Sequence, residues 1–227
     1  MVCVVSFLLY KNSKETDLLK TSKLLKKVRL NDEKFLQEID KIVNESNGII
    51  HVNEFTEESA KQFYTEFNKA IKFGQTLIPI LVDSYGGQLD SLNFMIDLID
   101  ASPVPVSTFC LGKAMSCGAI LLSCGNKGLR FAAPNSRIML HSVASGVIGK
   151  QLEMKNSAEE TERVERLIYH RFAKNCNKKP GHFLDIFKKR GDTDWFLSAT
   201  DAKKLGIVDF VKVPQFSTEV VVENIIS

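Results

Sequence analysis

The stretch Gly112-Lys-Ala-Met-Ser-Cys-Gly-Ala119 is the part of the sequence that decides the fold. It follows the strand-like run Val104-Pro-Val-Ser-Thr-Phe-Cys110 and leads into small and apolar residues. The combination predicts a strand, a glycine turn and a helix that begins near Ser116. A serine at such a corner is either a cap for the helix or a nucleophile held at an exposed turn.

A serine nucleophile needs three further groups, and the sequence offers a candidate for each. His141, at the end of Pro134-Asn-Ser-Arg-Ile-Met-Leu-His141, can take the proton of the serine, and Asp194 can hold the imidazole in the required tautomer. Backbone N–H groups of Gly87, in the Gly86-Gly87 turn, and of Cys117 can receive an oxyanion. Taken singly, each residue also fits an ordinary cap, core position or turn, so composition alone does not identify a site.

The composition indicates an ordinary globular protein. The chain has 227 residues, of which 44% are hydrophobic and 25% charged, which is enough to bury a core within one sizeable domain. The formal net charge of +3 is too small to favour a nucleic acid as partner. The sequence contains no linker rich in Pro, Gly or Ser, no internal repeat and no low-complexity run.

Cysteine and histidine usage favours a reducing compartment and no metal. The five cysteines include no Cys-x-x-Cys pair, and the four histidines show no metal-ligand spacing. We therefore expect free thiols, no metal and no cofactor. The apolar run Met1–Tyr10 lacks the flanks of a signal peptide and is too short to span a membrane, so we expect a β-strand there and no membrane partner.

Alternating strand and helix patterns predict α/β layering. Strands are expected at 48–52, 76–82, 104–110, 137–140 and 207–211, and helices after Asn31 and Thr56 and at Leu89, Ser116, Gly149 and Asp201. The helix after Thr56 should bury Ala60, Phe63, Tyr64, Phe67, Ala70 and Ile71. Pro79 argues against a central place for its strand. Residues 149–176 predict one long, mostly charged helix.

Residues 104–143 closely resemble the ClpP family of self-compartmentalised serine peptidases. The family pattern Gly-x-Ala-x-Ser-x-Gly-Ala is found at Gly112–Ala119, Lys-Gly-x-Arg at Lys127–Arg130, and Pro-Asn-Ser-Arg-x-Met-x-His at Pro134–His141. The resemblance extends over residues 48–211 through Asp83-Ser-Tyr-Gly-Gly87 and Asp194-Trp-Phe-Leu-Ser-Ala199.

The resemblance implies a crotonase-like α/β fold of stacked βαβ units, with a protruding handle helix from Gly149 onward. It also implies roles for the candidate residues. Ser116 is the nucleophile, His141 the general base and acid, and Asp194 the orienting carboxylate, while Gly87 and Cys117 supply the oxyanion N–H groups. Substrate would pair, as an added strand, with Gly86 and with the segment Ser145, Gly146, Val147 and Ile148.

The chain departs from the family pattern at four places. Ser142-Val143 follows the histidine where the family usually has Gln-Pro, and Tyr85 replaces a proline in the glycine turn. The segment before Asp194 is about four residues longer than usual, which leaves Asp192 as an alternative acid. Thr193 stands where the family typically has an arginine linked to ring–ring contacts, so looser ring pairing is expected.

The partners implied by the resemblance are other copies of the chain and a separate ATPase. Two stacked seven-membered rings would enclose the sites and degrade unfolded polypeptides that a hexameric AAA+ Clp-type unfoldase delivers. The sequence has no Gly-x-x-x-x-Gly-Lys-Ser/Thr loop, so the ATPase must be another protein. We expect a cytoplasmic location or a reducing organelle interior.

We divide the chain into residues 1–45, an N-terminal strand with a polar arm and helix and no clear match to the family, residues 46–212, the ClpP-like peptidase domain, and residues 213–227, a C-terminal tail. Two alternatives remain open at this point. One is a non-catalytic or weakly active ring-forming Clp subunit, and the other is an acyl-CoA-handling enzyme of the crotonase fold, which would need neither the serine nor the histidine segment.

Overall fold

The computed structural model describes the backbone of residues 2–9, 26–27, 48–144, 146, 148–191 and 193–223, and side chains from residue 48 to 216 within those ranges. The strands are β1 (Val2–Leu9), β2 (Lys26–Lys27), β3 (Ile50–Val52), β4 (Ile78–Ser84), β5 (Val106–Met115), β6 (Arg130–Ala132), β7 (Arg137–Leu140), β8 (Trp195–Ser198), β9 (Phe210–Val211) and β10 (Phe216–Glu223). The helices are α1 (Glu57–Lys72), α2 (Leu89–Asp100), α3 (Cys117–Leu122), α4 (Gln151–Asn175), α5 (His182–Arg190) and α6 (Ala199–Leu205). The helix predicted after Asn31 lies outside the described residues.

A parallel sheet with the strand order β3-β4-β5-β6-β9 forms the body of the molecule, and the predicted α/β class is confirmed. β5 is the longest of these strands and has two neighbours in succession on one side. Its first half pairs with β6, and its last residues, Lys113 to Met115, pair with β7. β7 also pairs, in the antiparallel direction, with β8. The end of β5 therefore lies beside the end of β7.

Helix α1 forms where its capping signal predicts. The Thr56 hydroxyl accepts a hydrogen bond from the Ser59 N–H at 3.1 Å, and the Ser59 hydroxyl accepts one from the Thr56 N–H at 2.9 Å. The helix buries Ala60, Phe63, Phe67 and Ala70. The prediction that Tyr64 joins this face is wrong. Its ring is half exposed and lies beside that of Phe94, at a centroid distance of 6.2 Å.

Pro79 lies in β4, a buried strand that has β3 and β5 on its two sides, so the strand is central despite its proline. The Ile78 N–H donates to Pro105 on the β5 side, and N–H groups alternate in direction along a strand. The imide nitrogen of Pro79 therefore faces the β3 side. Pairing with β3 begins only at Ile80, opposite Ile50, so the proline removes no ladder hydrogen bond.

Helix α4 confirms the prediction of a long, charged helix. Its 25 residues span about 37 Å. Its buried residues are confined to the last third: Ile168, Tyr169, Phe172 and Ala173. The remainder projects from the body and exposes Leu152, Met154 and Leu167. Surface ion pairs three or four residues apart, such as Arg163 with Glu160 at 2.6 Å, support the projecting part.

Two elements near the candidate site were not predicted from the sequence. Helix α5 packs against α4 through rings, with Phe183 on Phe172 at 4.5 Å and Phe187 on Tyr169 at 4.9 Å. Strand β8 directly precedes α6.

A second sheet has the order β10-β1-β2, with β1 confirming the strand predicted at the N-terminus. In the described part of the chain, no helix has the length and apolar character needed to cross a bilayer.

A buried ion pair connects β6, β9 and α4. The Arg130 guanidinium donates to both carboxylate oxygens of Asp209, at 2.6 and 3.0 Å, and to the carbonyl oxygen of Asn175 at 3.0 Å. The Gly128 N–H also donates to Asp209, at 2.7 Å. Burial by itself would raise the pKa of Asp209, but the hydrogen bonds and charge of Arg130 hold that pKa below its ordinary value.

Replacing Asp209 by Asn should lower the free energy of unfolding by about 3–5 kcal/mol, because it leaves the buried Arg130 charge without compensation. The matched control is Glu57→Gln, which breaks an exposed ion pair with Lys61. This substitution should change the free energy of unfolding by less than about 0.5 kcal/mol. Urea unfolding followed by circular dichroism measures both.

The pH dependence follows from the lowered pKa of Asp209. A carboxyl group whose pKa is lower in the folded state contributes stability above its unfolded pKa, about 3.9, and loses that contribution as the pH falls further. The gap between the unchanged protein and Asp209→Asn should therefore be full at pH 7 and shrink below about pH 4. Equal stabilities at pH 7 would contradict the assignment.

Candidate active site

Ser116 occupies a strained corner between β5 and α3. Its backbone has φ 54° and ψ −121°, a region that residues other than glycine seldom adopt. The Ser116 N–H donates to Met139 in β7 at 2.8 Å, and its carbonyl accepts from Ala119 at 3.0 Å. The predicted glycine turn is wrong here, because β5 runs through Gly112 to Met115 and the chain turns at the serine itself.

The Ser116 hydroxyl faces His141 and does not cap the helix. Its Oγ lies 2.8 Å from the His141 Nε2, a hydrogen-bond distance, and makes no capping hydrogen bond to the described helix α3. The strand pairing accounts for this meeting. Met115, the last residue of β5, is in register with Met139, so the residues that follow the two strands emerge side by side. The Ser116 hydroxyl is therefore paired with the imidazole and is not a helix cap.

Two residues of α4 hold the backbone around His141, and sequence reasoning missed both. The Tyr169 hydroxyl donates to the carbonyl oxygen of His141, and the Val143 N–H donates to Glu165 Oε1 at 2.7 Å. Burial, followed by the neighbouring Glu165 charge, raises the pKa of Tyr169, which keeps the hydroxyl protonated. The available signal was the spacing of four residues, which places both side chains on one helix face.

Asp194 stands immediately before β8, next to the histidine in register. In the antiparallel pairing of β7 with β8, Leu140 is opposite Trp195. Continuing that register by one residue places Asp194 opposite His141. The Asp194 side chain is exposed, and among the described residues no hydrogen bond or ion pair connects it to the histidine. Asp192, the alternative acid, lies outside the described residues.

The glycine turn after β4 lies directly against the serine. A Cβ on Gly86 would come within 2.7 Å of the Ser116 Cβ, and one on Gly87 would come within 2.4 Å of the Phe55 carbonyl oxygen. Both glycines have positive φ, 112° and 148°. The Cys117 thiol donates to the Gly87 carbonyl at 3.2 Å, so the two backbones proposed to bind an oxyanion are neighbours. Burial raises the pKa of the Cys117 thiol, which favours the protonated donor.

An ion pair between β4 and β5 lies next to this glycine turn. The Lys113 ammonium donates to Asp83 at 2.7 Å and lies over the Tyr85 ring at 4.5 Å. The hydrogen bond with Asp83 raises the pKa of Lys113. Tyr85, which stands where the ClpP family pattern has proline, is thus held by a cation–π contact.

The two described residues of the proposed substrate segment, Gly146 and Ile148, are directed to solvent. A Cβ on Gly146 would meet nothing within 4 Å. Ser145 and Val147 lie outside the described residues. Within the described ranges, no group of three or more His, Cys, Asp or Glu side chains is arranged to hold a metal. The cluster therefore consists of Ser116, His141, Gly86, Gly87 and Cys117, with Asp194 adjacent in register.

Comparison with known proteins identifies the family of this chain. The sequence model of the Clp protease family matches residues 31–215. The chain belongs to the Clp protease family. One relative is the ATP-dependent Clp protease proteolytic subunit 3 of Nocardia farcinica (strain IFM 10152), 36% identical over 136 residues, which are 59% of this chain and 60% of the relative. The match thus covers less than two thirds of that relative's length.

The Clp protease family match includes both halves of the cluster. It contains the β5–α3 corner with Ser116, the β7 end with His141, and the β8 start with Asp194. The mixed α/β architecture with a parallel sheet is consistent with this family. The match begins at residue 31, within the N-terminal part of the chain in which the sequence motifs gave no clear match to the family.

Gly86→Ala should slow the reaction of Ser116 with a fluorophosphonate probe by about 100-fold, because the new methyl group would displace the serine. The matched control is Gly181→Ala, since that glycine also has positive φ, at 84°, but nothing within 4 Å of the added Cβ. Mass spectrometry of the labelled peptide measures both rates. Similar rates in the two variants would show that the glycine turn does not position Ser116.

Proposed function

We propose that this chain is a serine endopeptidase of the ClpP type, which cleaves unfolded polypeptides through an acyl-enzyme on Ser116. One observation carries the proposal: the 2.8 Å contact of Ser116 Oγ with His141 Nε2, formed at a strained strand–helix corner in a Clp protease family chain. Backbone strain of this kind persists where the surrounding structure enforces it, and it is concentrated at functional sites.

In the proposed reaction, Ser116 Oγ attacks the carbonyl carbon of the scissile peptide while His141 Nε2 takes the hydroxyl proton. The imidazolium then gives that proton to the leaving amine as the C–N bond breaks. Water attacks the resulting ester, with His141 again as the base, and releases the acid product and the free serine. A serine without such a base is a poor nucleophile near neutral pH, so the Oγ–Nε2 contact is the essential part.

Asp194 is the proposed orienting carboxylate. The β7–β8 register supports it, because directly opposite residues of an antiparallel pair have Cβ atoms about 5 Å apart. A carboxylate at Asp194 would stabilise the imidazolium that forms during the reaction.

Gly87 and Cys117 are proposed to bind the oxyanion through their N–H groups. Cys117 is the first residue of α3, so its N–H has no partner within the helix. The absence of a Cβ at Gly87 gives a carbonyl oxygen access to its backbone. Substrate is proposed to lie extended between Gly86 and the segment Ser145–Ile148, which would add β-type hydrogen bonds without selecting particular side chains.

The proposed assembly is two stacked heptameric rings, with a crotonase-like subunit for residues 46–212 and α4 as the handle helix. The exposed Leu152, Met154 and Leu167 on a projecting helix support it, since such apolar residues are typical of a helix that meets another copy. Thr193 cannot make the ion pairs of an arginine, which favours looser ring pairing. A separate AAA+ Clp-type unfoldase would deliver the unfolded substrate.

A reducing compartment, such as the cytoplasm, fits the cysteines. The four that the structure describes are free thiols, and three of them are buried. Burial raises the pKa of Cys110 to about 11, which keeps this thiol in its unreactive protonated form.

A weakly active ring-forming Clp subunit is the second candidate function. The exposed carboxylate of Asp194, without a described hydrogen bond to His141, favours it. The two candidates differ in whether Ser116 reacts as an activated nucleophile.

A fluorophosphonate should label Ser116, and Ser116→Ala should reduce peptide hydrolysis by about four orders of magnitude or more without changing the oligomer mass in light scattering. The hydroxyl is needed for covalent attack, whereas helix α3 can begin without it. Peptidase activity within about tenfold of the unchanged protein would refute the nucleophile assignment. A monomer at micromolar concentrations would refute the enclosed chamber.

Asp194→Asn should lower kcat much more than Asp192→Asn does. An amide at the orienting position favours the wrong imidazole tautomer, and in a comparable triad this costs about 10⁴-fold. Parallel kcat measurements on the two single variants, each checked for oligomer mass, decide between the acids. A larger loss of kcat in the Asp192 variant would show that Asp192, and not Asp194, is the orienting acid.

A further inference from the structure

Helix α4 contacts the segment that begins at His141 at two points. Tyr169 is buried and donates its hydroxyl to the backbone carbonyl of His141 itself. Glu165, one helical turn earlier, accepts from the Val143 N–H at 2.7 Å. One contact is made to the carbonyl group of His141, whose ring is hydrogen-bonded to Ser116, and the other is made two residues later in the chain.

The contact with Glu165 depends on a residue that distinguishes this chain from its family pattern. Where Val143 stands, the ClpP pattern has proline, which fixes φ and has no N–H to donate. Valine leaves the φ angle at this position unconstrained by a ring and adds a backbone N–H that needs a hydrogen-bond acceptor. Glu165 satisfies the donor with a charge-assisted hydrogen bond and restrains the same segment.

Tyr169 is itself rigidly held. Its ring meets Phe187 edge-on at 4.9 Å and Phe172 at 6.1 Å, and its side chain is almost completely buried. A hydroxyl on so constrained a ring fixes the position of the carbonyl that accepts from it. The His141 ring is carried on that same peptide unit, and its Nε2 must stay within hydrogen-bond distance of Ser116.

We propose that Glu165 and Tyr169 are positioning residues, which align His141 with Ser116 by fixing the backbone after β7 in place of the family proline. The inference rests on the proposed function, because the alignment matters only if His141 acts as the base. Small displacements of a catalytic group are costly: about 1 Å can lower a rate by about 100-fold. Loss of either contact should therefore affect catalysis more than substrate binding.

The test compares Glu165→Ala and Tyr169→Phe with two controls in peptide hydrolysis. Glu159→Ala removes an exposed glutamate of the same helix, and Tyr64→Phe removes the hydroxyl of a half-exposed tyrosine. We expect kcat to fall by about 10- to 100-fold in the first two variants, with KM within about twofold, and to stay unchanged in the controls. Glu165→Gln keeps an acceptor oxygen and should retain most of the activity.

A second substitution separates positioning from general damage to the helix. Adding Val143→Pro to Glu165→Ala removes the unsatisfied N–H and restores the restraint, so the double variant should recover most of the lost kcat. Hydrogen exchange of the Val143 amide, read by mass spectrometry, should be at least about tenfold faster in Glu165→Ala than in the unchanged protein.

The outcomes distinguish the two proposals. Normal labelling of Ser116 in the unchanged protein together with full kcat in Glu165→Ala and Tyr169→Phe would overturn the positioning role alone. A failure of Val143→Pro to restore activity would do the same. No labelling of Ser116 in the unchanged protein would overturn the proposed function and, with it, the positioning role of Glu165 and Tyr169, whatever the amide exchange shows.

Discussion

The pairing of β5 with β7 is the constraint on which the candidate site depends. Ser116 and His141 are each the first residue after one of these strands, and the register of Met115 with Met139 fixes how far apart they emerge. The first half of β5 pairs with β6, in which the Arg130 side chain is held by Asp209, and its last residues pair with β7. Sheet register, rather than loop conformation, therefore sets the distance between the hydroxyl and the imidazole.

Close packing then restricts what can stand around the serine. Gly86 approaches the Ser116 side chain too closely for any Cβ, and Ser116 holds a positive φ although it is not glycine. Strain of this size, of order 1–3 kcal/mol per residue, must be offset by the surrounding structure. The hydrogen bonds of Ser116 to Met139 and Ala119 and the ion pair of Lys113 with Asp83 provide that support.

Local patterns predicted much of the fold, and the errors arose where neighbours in space decide. The capping signal at Thr56 and the charged stretch of α4 depend on nearby residues, so they were predictable. Tyr64 has the right spacing for the core but its ring is half exposed, and Pro79 is tolerated because pairing with β3 starts one residue later. Ser116 and His141 were found through motif resemblance, since neither residue alone indicates a site. Glu165 and Tyr169 were not, because their partners lie more than 20 residues away and are backbone atoms.

The antiparallel pairing of β7 with β8 also limits how this part of the gene can change in length. Side chains in a strand alternate between two faces, so an inserted or deleted residue between Asp194 and Ser198 would turn the carboxylate to the opposite face of the sheet. Upstream, between the end of α4 and Gly191, added residues change only the course of the connection and the length of α5. Evolution can thus vary the helical approach to β8 while the codons from Asp194 onward stay fixed in number.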